Sequence, residues 1–257
     1  MARRSSFSLS VGQLVGASFR NFFRNLVPFS ILGALILSPW IAFHVWQVNQ
    51  FTVIETSTGP VTFPNVALLV VDFLLQTLLG YVLTGAVTYG VVQQLSGQPA
   101  PLAATISKGL QVFGRTLATG FLAGLRILLF TLLLVVPGII EAIKLYVAIP
   151  VAVIEGGGAG RAIERSKALT DGCRWQVFGS WVVVILIGWG VLFLIGAVFA
   201  MLAPEQARTN AGLFFGLQIA TTVLLTTFSA TVAAVCYSML RRGKENVDAQ
   251  QLASVFA

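Results

Sequence analysis

Long apolar runs alternate with short polar, arginine-bearing segments along the chain. The runs are Leu26–Val48, Val66–Leu95, Thr116–Val136, Ile139–Ile154, Val177–Ala203 and Ala211–Leu240. A helix needs ~20 mainly apolar residues to cross ~30 Å of hydrocarbon. Five runs meet that length. The fourth is short and carries Glu141, Lys144 and Pro150; if it folds as a re-entrant hairpin, five full crossings remain. No run shows the ~10-residue alternating segments of a barrel strand. The pattern predicts an all-α fold: a polytopic transmembrane helix bundle of about six spans, forming one integral membrane domain over residues 1–257.

The polar segments have a period of their own. In 8–25, Val11, Leu14, Val15, Phe19, Phe22, Phe23 and Leu26 recur at helical spacing, with Arg20 and Arg24 among the intervening polar positions. Such a helix lies in the interface with its arginines toward the headgroups. Segments 101–115 and 159–175 show the same amphipathic character, and shifting the first segment by 91 positions aligns Phe22 with Phe113 and Arg24 with Arg115. The arrangement reads as a repeating unit of interfacial helix, span out and span back, or as chance similarity between amphipathic helices. Residues 241–257 form a short polar tail. No cleavable leader is expected, because no apolar core promptly follows Arg3-Arg4.

Composition reinforces the class. Hydrophobic residues make up 56% of the 257, charged residues 10%, and mean hydropathy is +0.88, whereas soluble domains carry ~25% charged residues. The net charge of +7 follows topology. With the N-terminus inside, the cytoplasmic side receives Arg3, Arg4, Arg20, Arg24, Lys108, Arg115, Arg161, Arg165, Lys167, Arg174, Arg241, Arg242 and Lys244, leaving only Arg208 outside and Arg126 and Lys144 within spans. Cytoplasmic loops retain Lys and Arg, so both termini are expected in the cytoplasm. The same basic face predicts attraction to anionic lipids rather than nucleic acid. Cys173 and Cys236 fall on the reducing side, which argues against a disulfide, and no Cys–His cluster suggests a metal or other cofactor.

Four ionisable residues, Asp72, Arg126, Glu141 and Lys144, fall inside the outer halves of predicted spans. Charges there are rare and usually paired, so two acids and two bases are expected to form one neutral network. It serves either as a substrate or proton site or, the leading reading, as a structural clamp. Gly120 with Gly124, and Gly212 with Gly216, have the small-residue spacing that lets helices approach closely, within the chain or between copies. Thr222, Thr226 and Ser229 form a stripe read as packing before polar path. His44, between Trp40 and Trp46, has an interfacial belt position. Gly156-Gly157-Gly158-Ala159-Gly160-Arg161 lacks the Gly-Lys-Ser/Thr ending of a phosphate loop. No nucleophile–base pair is evident, so no catalytic residue is assigned.

The central motif Pro137-Gly138-Ile139, Pro150-Val151-Ala152-x-x-Glu155-Gly156, and Ala162-x-x-Arg165-Ser166-x-x-Leu169-Thr170-x-Gly172-x-x-Trp175 resembles the YciC-like bacterial inner-membrane proteins. It is also similar to the membrane domain joined to some glycerophosphodiester phosphodiesterases, whose catalytic domain is absent here. The resemblance implies a bacterial inner-membrane location and carries no catalytic residues. Read alone, Glu155 lies near Arg161, Arg165 and Arg174, with Arg165 meeting either lipid phosphate or Glu155 and Leu169 dipping into lipid.

The resulting expectation is a non-enzymatic, lipid-engaged membrane protein, an oligomeric scaffold that organises or curves the bilayer. Phe19, Phe22 and Phe23 would enter the acyl boundary, while Arg20, Arg24, Arg115, Arg161, Arg165 and Arg174 face headgroups. A transporter or lipid-handling permease built on the charged site is the alternative, and a membrane-embedded enzyme comes third.

Overall fold

The structure is a computed structural model that describes residues 10–55, 66–201 and 211–245. Residues 1–9, 56–65, 202–210 and 246–257, the last including most of the polar tail, lie outside the described residues. What is described is helical, without strands: α1 (Val11–Arg24), α2 (Leu26–Glu55), α3 (Val66–Leu95), α4 (Leu102–Gln111), α5 (Phe113–Leu133), α6 (Val135–Leu145), α7 (Ala148–Ile154), α8 (Ala159–Thr170), α9 (Arg174–Ala200) and α10 (Ala211–Glu245). The all-α bundle is as expected. Six stretches are long and apolar enough to cross a membrane: α2, α3, α5, Val135–Ile154, α9 and α10.

The fourth of these is not one helix. Pro150 has no N–H to give the carbonyl of Tyr146, so a continuous helix cannot close its hydrogen bond there. The chain breaks at Tyr146–Val147, and Pro150 falls in the first turn of α7, where a missing donor costs little. The chain also turns just before Pro137-Gly138. The turn residue is Leu134, extended at φ −161° and ψ 143°, and Pro137 and Gly138 lie in the first turn of α6. Gly138 is needed for the return: a Cβ there would come within 2.0 Å of the Thr131 hydroxyl on α5.

Two kinds of environment divide the long helices. In α3 the first half is largely exposed, whereas Val82–Gln93 is largely buried. In α10, Ala230–Ser238 is buried at every position, although its first half has exposed positions. α10 is 35 residues long, roughly 52 Å at 1.5 Å per residue, far more than a bilayer core requires. The surplus is packed in protein: α1, α2, α3, α7, α8 and α9 all pack on α10. The molecule thus has a packed end, where short helices fill spaces between long ones, and a splayed end where long helices present leucine, valine and phenylalanine outward.

This packing corrects three interfacial assignments. In α1, Phe22 is buried and Phe19 partly so, both against Phe228 of α10 at 5.2 and 4.9 Å between ring centroids; only Phe23 is well exposed. Helix α4 lies on α3, with Gly109 so close that a Cβ would meet the Val82 carbonyl at 2.9 Å. It ends at Gln111, so Arg115 belongs to α5. Helix α8 packs on α5, α6 and α7, and Leu169 is 1% exposed rather than in lipid. The amphipathic patterns are real, but the apolar faces meet protein. The glycine pairs also divide. Gly120 seats the Tyr81 ring, whereas among the described residues nothing lies within 4 Å of where a Cβ on Gly124, Gly212 or Gly216 would stand.

Candidate functional site

The predicted four-residue network does not form as a unit. Asp72 Oδ1 is hydrogen-bonded to His44 Nδ1 at 3.1 Å, between α3 and α2, and among the described residues no ion pair joins it to Arg126. Arg126 instead reaches Glu141, as does Lys144. Asp72 separates from the other three because depth along a span does not determine which neighbouring helix a charge faces.

Glu141 is the centre of the remaining cluster. It lies on α6 and is 2% exposed. Arg126 Nε on α5 donates to its Oε1 at 3.1 Å, and Lys144 Nζ, one turn further along α6, to its Oε2 at 3.2 Å. A third cation comes from α8: Lys167 Nζ stands 2.9 Å from Oε1. The α5–α6 hairpin fixes Arg126 against Glu141. Ser166 and Thr170 of α8 donate to the Lys144 carbonyl at 2.8 and 3.3 Å and so hold Lys167 in place. One carboxylate therefore faces three cations, and the site carries two positive charges in excess. The cations remain partly accessible, with side chains 43% (Arg126), 26% (Lys144) and 30% (Lys167) exposed. Local spacing does not pair Lys167 with Glu141, because the rest of α6, all of α7 and the breaks on either side of it separate them along the chain.

A second cluster, around Glu155, is balanced. Arg165 Nε donates to Glu155 Oε2 at 2.9 Å and also pairs with Glu245. Tyr237, fully buried on α10, donates its hydroxyl proton to Glu155 Oε1 at 3.0 Å and accepts from Arg241, which also bonds Glu245 at 3.2 Å. Burial opposes the charge on Arg165, but its bonds to Glu245 and Glu155 outweigh this and raise its pKa. Arg165 is therefore committed to protein carboxylates, not headgroups. The positive φ of Gly156 and Gly157, 69° and 85°, turns the chain directly after Glu155; only glycine adopts this conformation readily. Arg174 pairs with Asp171 at 3.0 Å, while Arg20, Arg24, Arg115 and Arg161 are exposed.

Of the hydroxyl stripe on α10, Thr226 and Ser229 line a cavity of about 440 Å³ with Thr84 and Tyr146. Thr222 and Thr226 donate to the carbonyls of Gln218 and Thr222 in their own helix. Among the described residues no group of His, Cys, Asp and Glu is placed to hold a metal, and Cys173 and Cys236 are free, buried thiols.

A family model described as Domain of unknown function (DUF7847) matches residues 9–240. No curated protein and no solved structure matches the chain.

Proposed function

We propose that this chain, which belongs to the DUF7847 family, is a non-enzymatic, multi-pass membrane protein that holds anionic lipid headgroups at its packed end. The observation that carries this reading is the charge imbalance at Glu141. A lysine ammonium has three donors and a guanidinium five. After one bond each to Glu141, Arg126, Lys144 and Lys167 keep surplus donors at partly exposed positions. Excess charge beside hydrocarbon is costly unless countered, and a phosphodiester supplies both the negative charge and the acceptors. Exposed Arg20, Arg24, Arg115 and Arg161 extend the basic surface. Lys and Arg placement supports a cytoplasmic position for this end and for both termini, in a bacterial inner membrane. The inward packing of Phe19 and Phe22 removes the strongest motive for a curvature-inducing wedge; headgroup binding stands without it, as does a homo-oligomer joined through the unoccupied Gly212 and Gly216 face.

The test is lipid selection. Protein reconstituted in mixed zwitterionic and anionic nanodiscs should enrich anionic lipid in its annular shell, as read by lipid extraction and mass spectrometry. Arg126→Gln with Lys167→Gln should reduce that preference, at about 1 kcal/mol per basic residue lost. A double variant that folds and retains the full preference overturns the proposal.

A further inference from the structure

Phe113–Leu133 and Val135–Ile154, which are α5 and the broken pair α6 and α7, have the length and apolarity of two membrane crossings, but the neighbours of the α5–α6 hairpin are those of a segment that never reaches the far face. The start of α9 is the first indicator. Arg174, Trp175 and Phe178, from its first two turns, line one cleft of about 460 Å³ together with Val136, Ile139, Ile140 and Ile143 of α6. Val136 lies two residues beyond the hairpin turn at Leu134. If α5 crossed the bilayer, that turn and the beginning of α9 would stand on opposite faces, separated by ~30 Å of hydrocarbon. A cleft of this size cannot be lined from both.

The second indicator is independent and comes from α8. Its Ser166 and Thr170 bond the Lys144 carbonyl and its Lys167 bonds Glu141. The same helix is tied to the end of α10, where Lys244 donates to the carbonyls of Ala168 and Asp171 at 2.8 and 2.5 Å. Arg242 in turn donates to the carbonyl of Leu95, the last residue of α3. The ends of α3 and α10, the whole of α8 and the Glu141–Lys144 turn are therefore close together. From Glu141 to Val135 is only six residues, roughly 9 Å of helix, so the hairpin turn also stays near the packed end.

The third is exposure. Leu128, Leu129, Phe130 and the run Leu132–Val136 are each more than a third exposed. The principal partners of α6 are α5, α8 and the start of α9.

We propose that α5 and α6 form a re-entrant hairpin that enters and leaves the leaflet at the packed end, with its Leu128–Val136 tip surrounded by acyl chains of that leaflet. Complete crossings are then made by α2, α3, α9 and α10. Two out-and-back pairs leave α1 and the end of α10 on the same side, so the orientation argued from charge is unaffected. The Glu141 cluster consequently sits at headgroup depth rather than in the outer half of the bilayer. This proposal rests on packing alone and does not require that the cluster bind lipid.

Single cysteines test it in the full-length protein in oriented proteoliposomes. The native cysteines are buried and give the background. Met201→Cys, at the end of α9 and 86% exposed, marks the splayed face. Leu134→Cys, at a position 68% exposed, marks the turn. An impermeant maleimide added to the splayed face should label Met201→Cys and leave Leu134→Cys at the background of the unsubstituted chain. Labelling of Leu134→Cys comparable to Met201→Cys overturns the proposal. A fluorophore attached at position 134 in detergent gives a second reading after reconstitution. Quenching by bromines deep in the acyl chains supports the proposal, whereas quenching only by an aqueous quencher confined to the splayed face overturns it.

Discussion

Replacing Glu141 with Gln should be far more damaging than removing any one of the cations around it. Arg126 Nε and Lys167 Nζ touch the same carboxylate oxygen at 3.1 and 2.9 Å. They therefore lie within about 6 Å of each other, where like charges repel by roughly 3 kcal/mol at an effective dielectric of 20. Each ion pair with Glu141 contributes about 4 kcal/mol on the same scale before solvent screening, and partial exposure of the cations reduces both quantities. Glu141→Gln removes three attractions and leaves three mutually repelling cations, so destabilisation in the range of roughly 3–5 kcal/mol for a broken buried pair is expected. Arg126→Gln removes one attraction and also two repulsions that together offset it on the same reckoning, and should cost far less than Glu141→Gln. The two variants can be compared by unfolding in mixed micelles, followed through the five tryptophans. Equal cost for Arg126→Gln and Glu141→Gln would refute the charge accounting, as would a Glu141→Gln variant not partly rescued by Lys167→Met.

Other positions give sharper contrasts. Gly120→Ala should destabilise by about 1–3 kcal/mol through overpacking, because its Cβ would stand 2.3 Å from the Tyr81 ring, while Gly124→Ala should be silent in the same unfolding assay. Tyr237→Phe deprives Glu155 and Arg241 of a shared hydroxyl in a buried setting, and a loss of about 1–3 kcal/mol is expected; an unchanged midpoint would show the clamp to be idle. Phe22→Ser should lower stability, whereas Phe23→Ser should leave it intact, because only Phe22 is buried against Phe228; the reverse order would restore the lipid-inserted reading of α1.

The membrane class and the long helices were legible because lipid contact imposes one simple rule, an uninterrupted apolar run. Val66–Leu95 coincides with α3, and the other long runs differ from the observed helices mainly at their ends. Internal breaks were harder. Pro150 signalled an interruption, but Val112 and Leu134, where the chain also turns, are ordinary apolar residues without a breaker signature. Amphipathic periodicity revealed which face of α1 is apolar without revealing its partner, since Phe228 and an acyl chain solvate phenylalanine equally well. The contact of Lys167 with Glu141 spans two helix breaks, and a linear count of depth along one straight span placed the two on opposite faces. The clamp between Glu155 and Arg165 was among the alternatives drawn from local spacing, whereas Tyr237 and Glu245, some eighty residues away, carried no local signal.

The encased second half of α10 has a consequence for biosynthesis. Ala230–Ser238 is covered on every side by helices that precede it in the chain, so those helices reach the membrane before the element that fills the space between them exists. Until α10 emerges from the ribosome, α1, α7 and α8 have no centre to close around, and their apolar faces must be sheltered by lipid or by the insertion machinery. A ribosome that stalls before Phe228 would release a chain whose long helices are threaded but whose packed end is open, a natural substrate for membrane quality-control proteases.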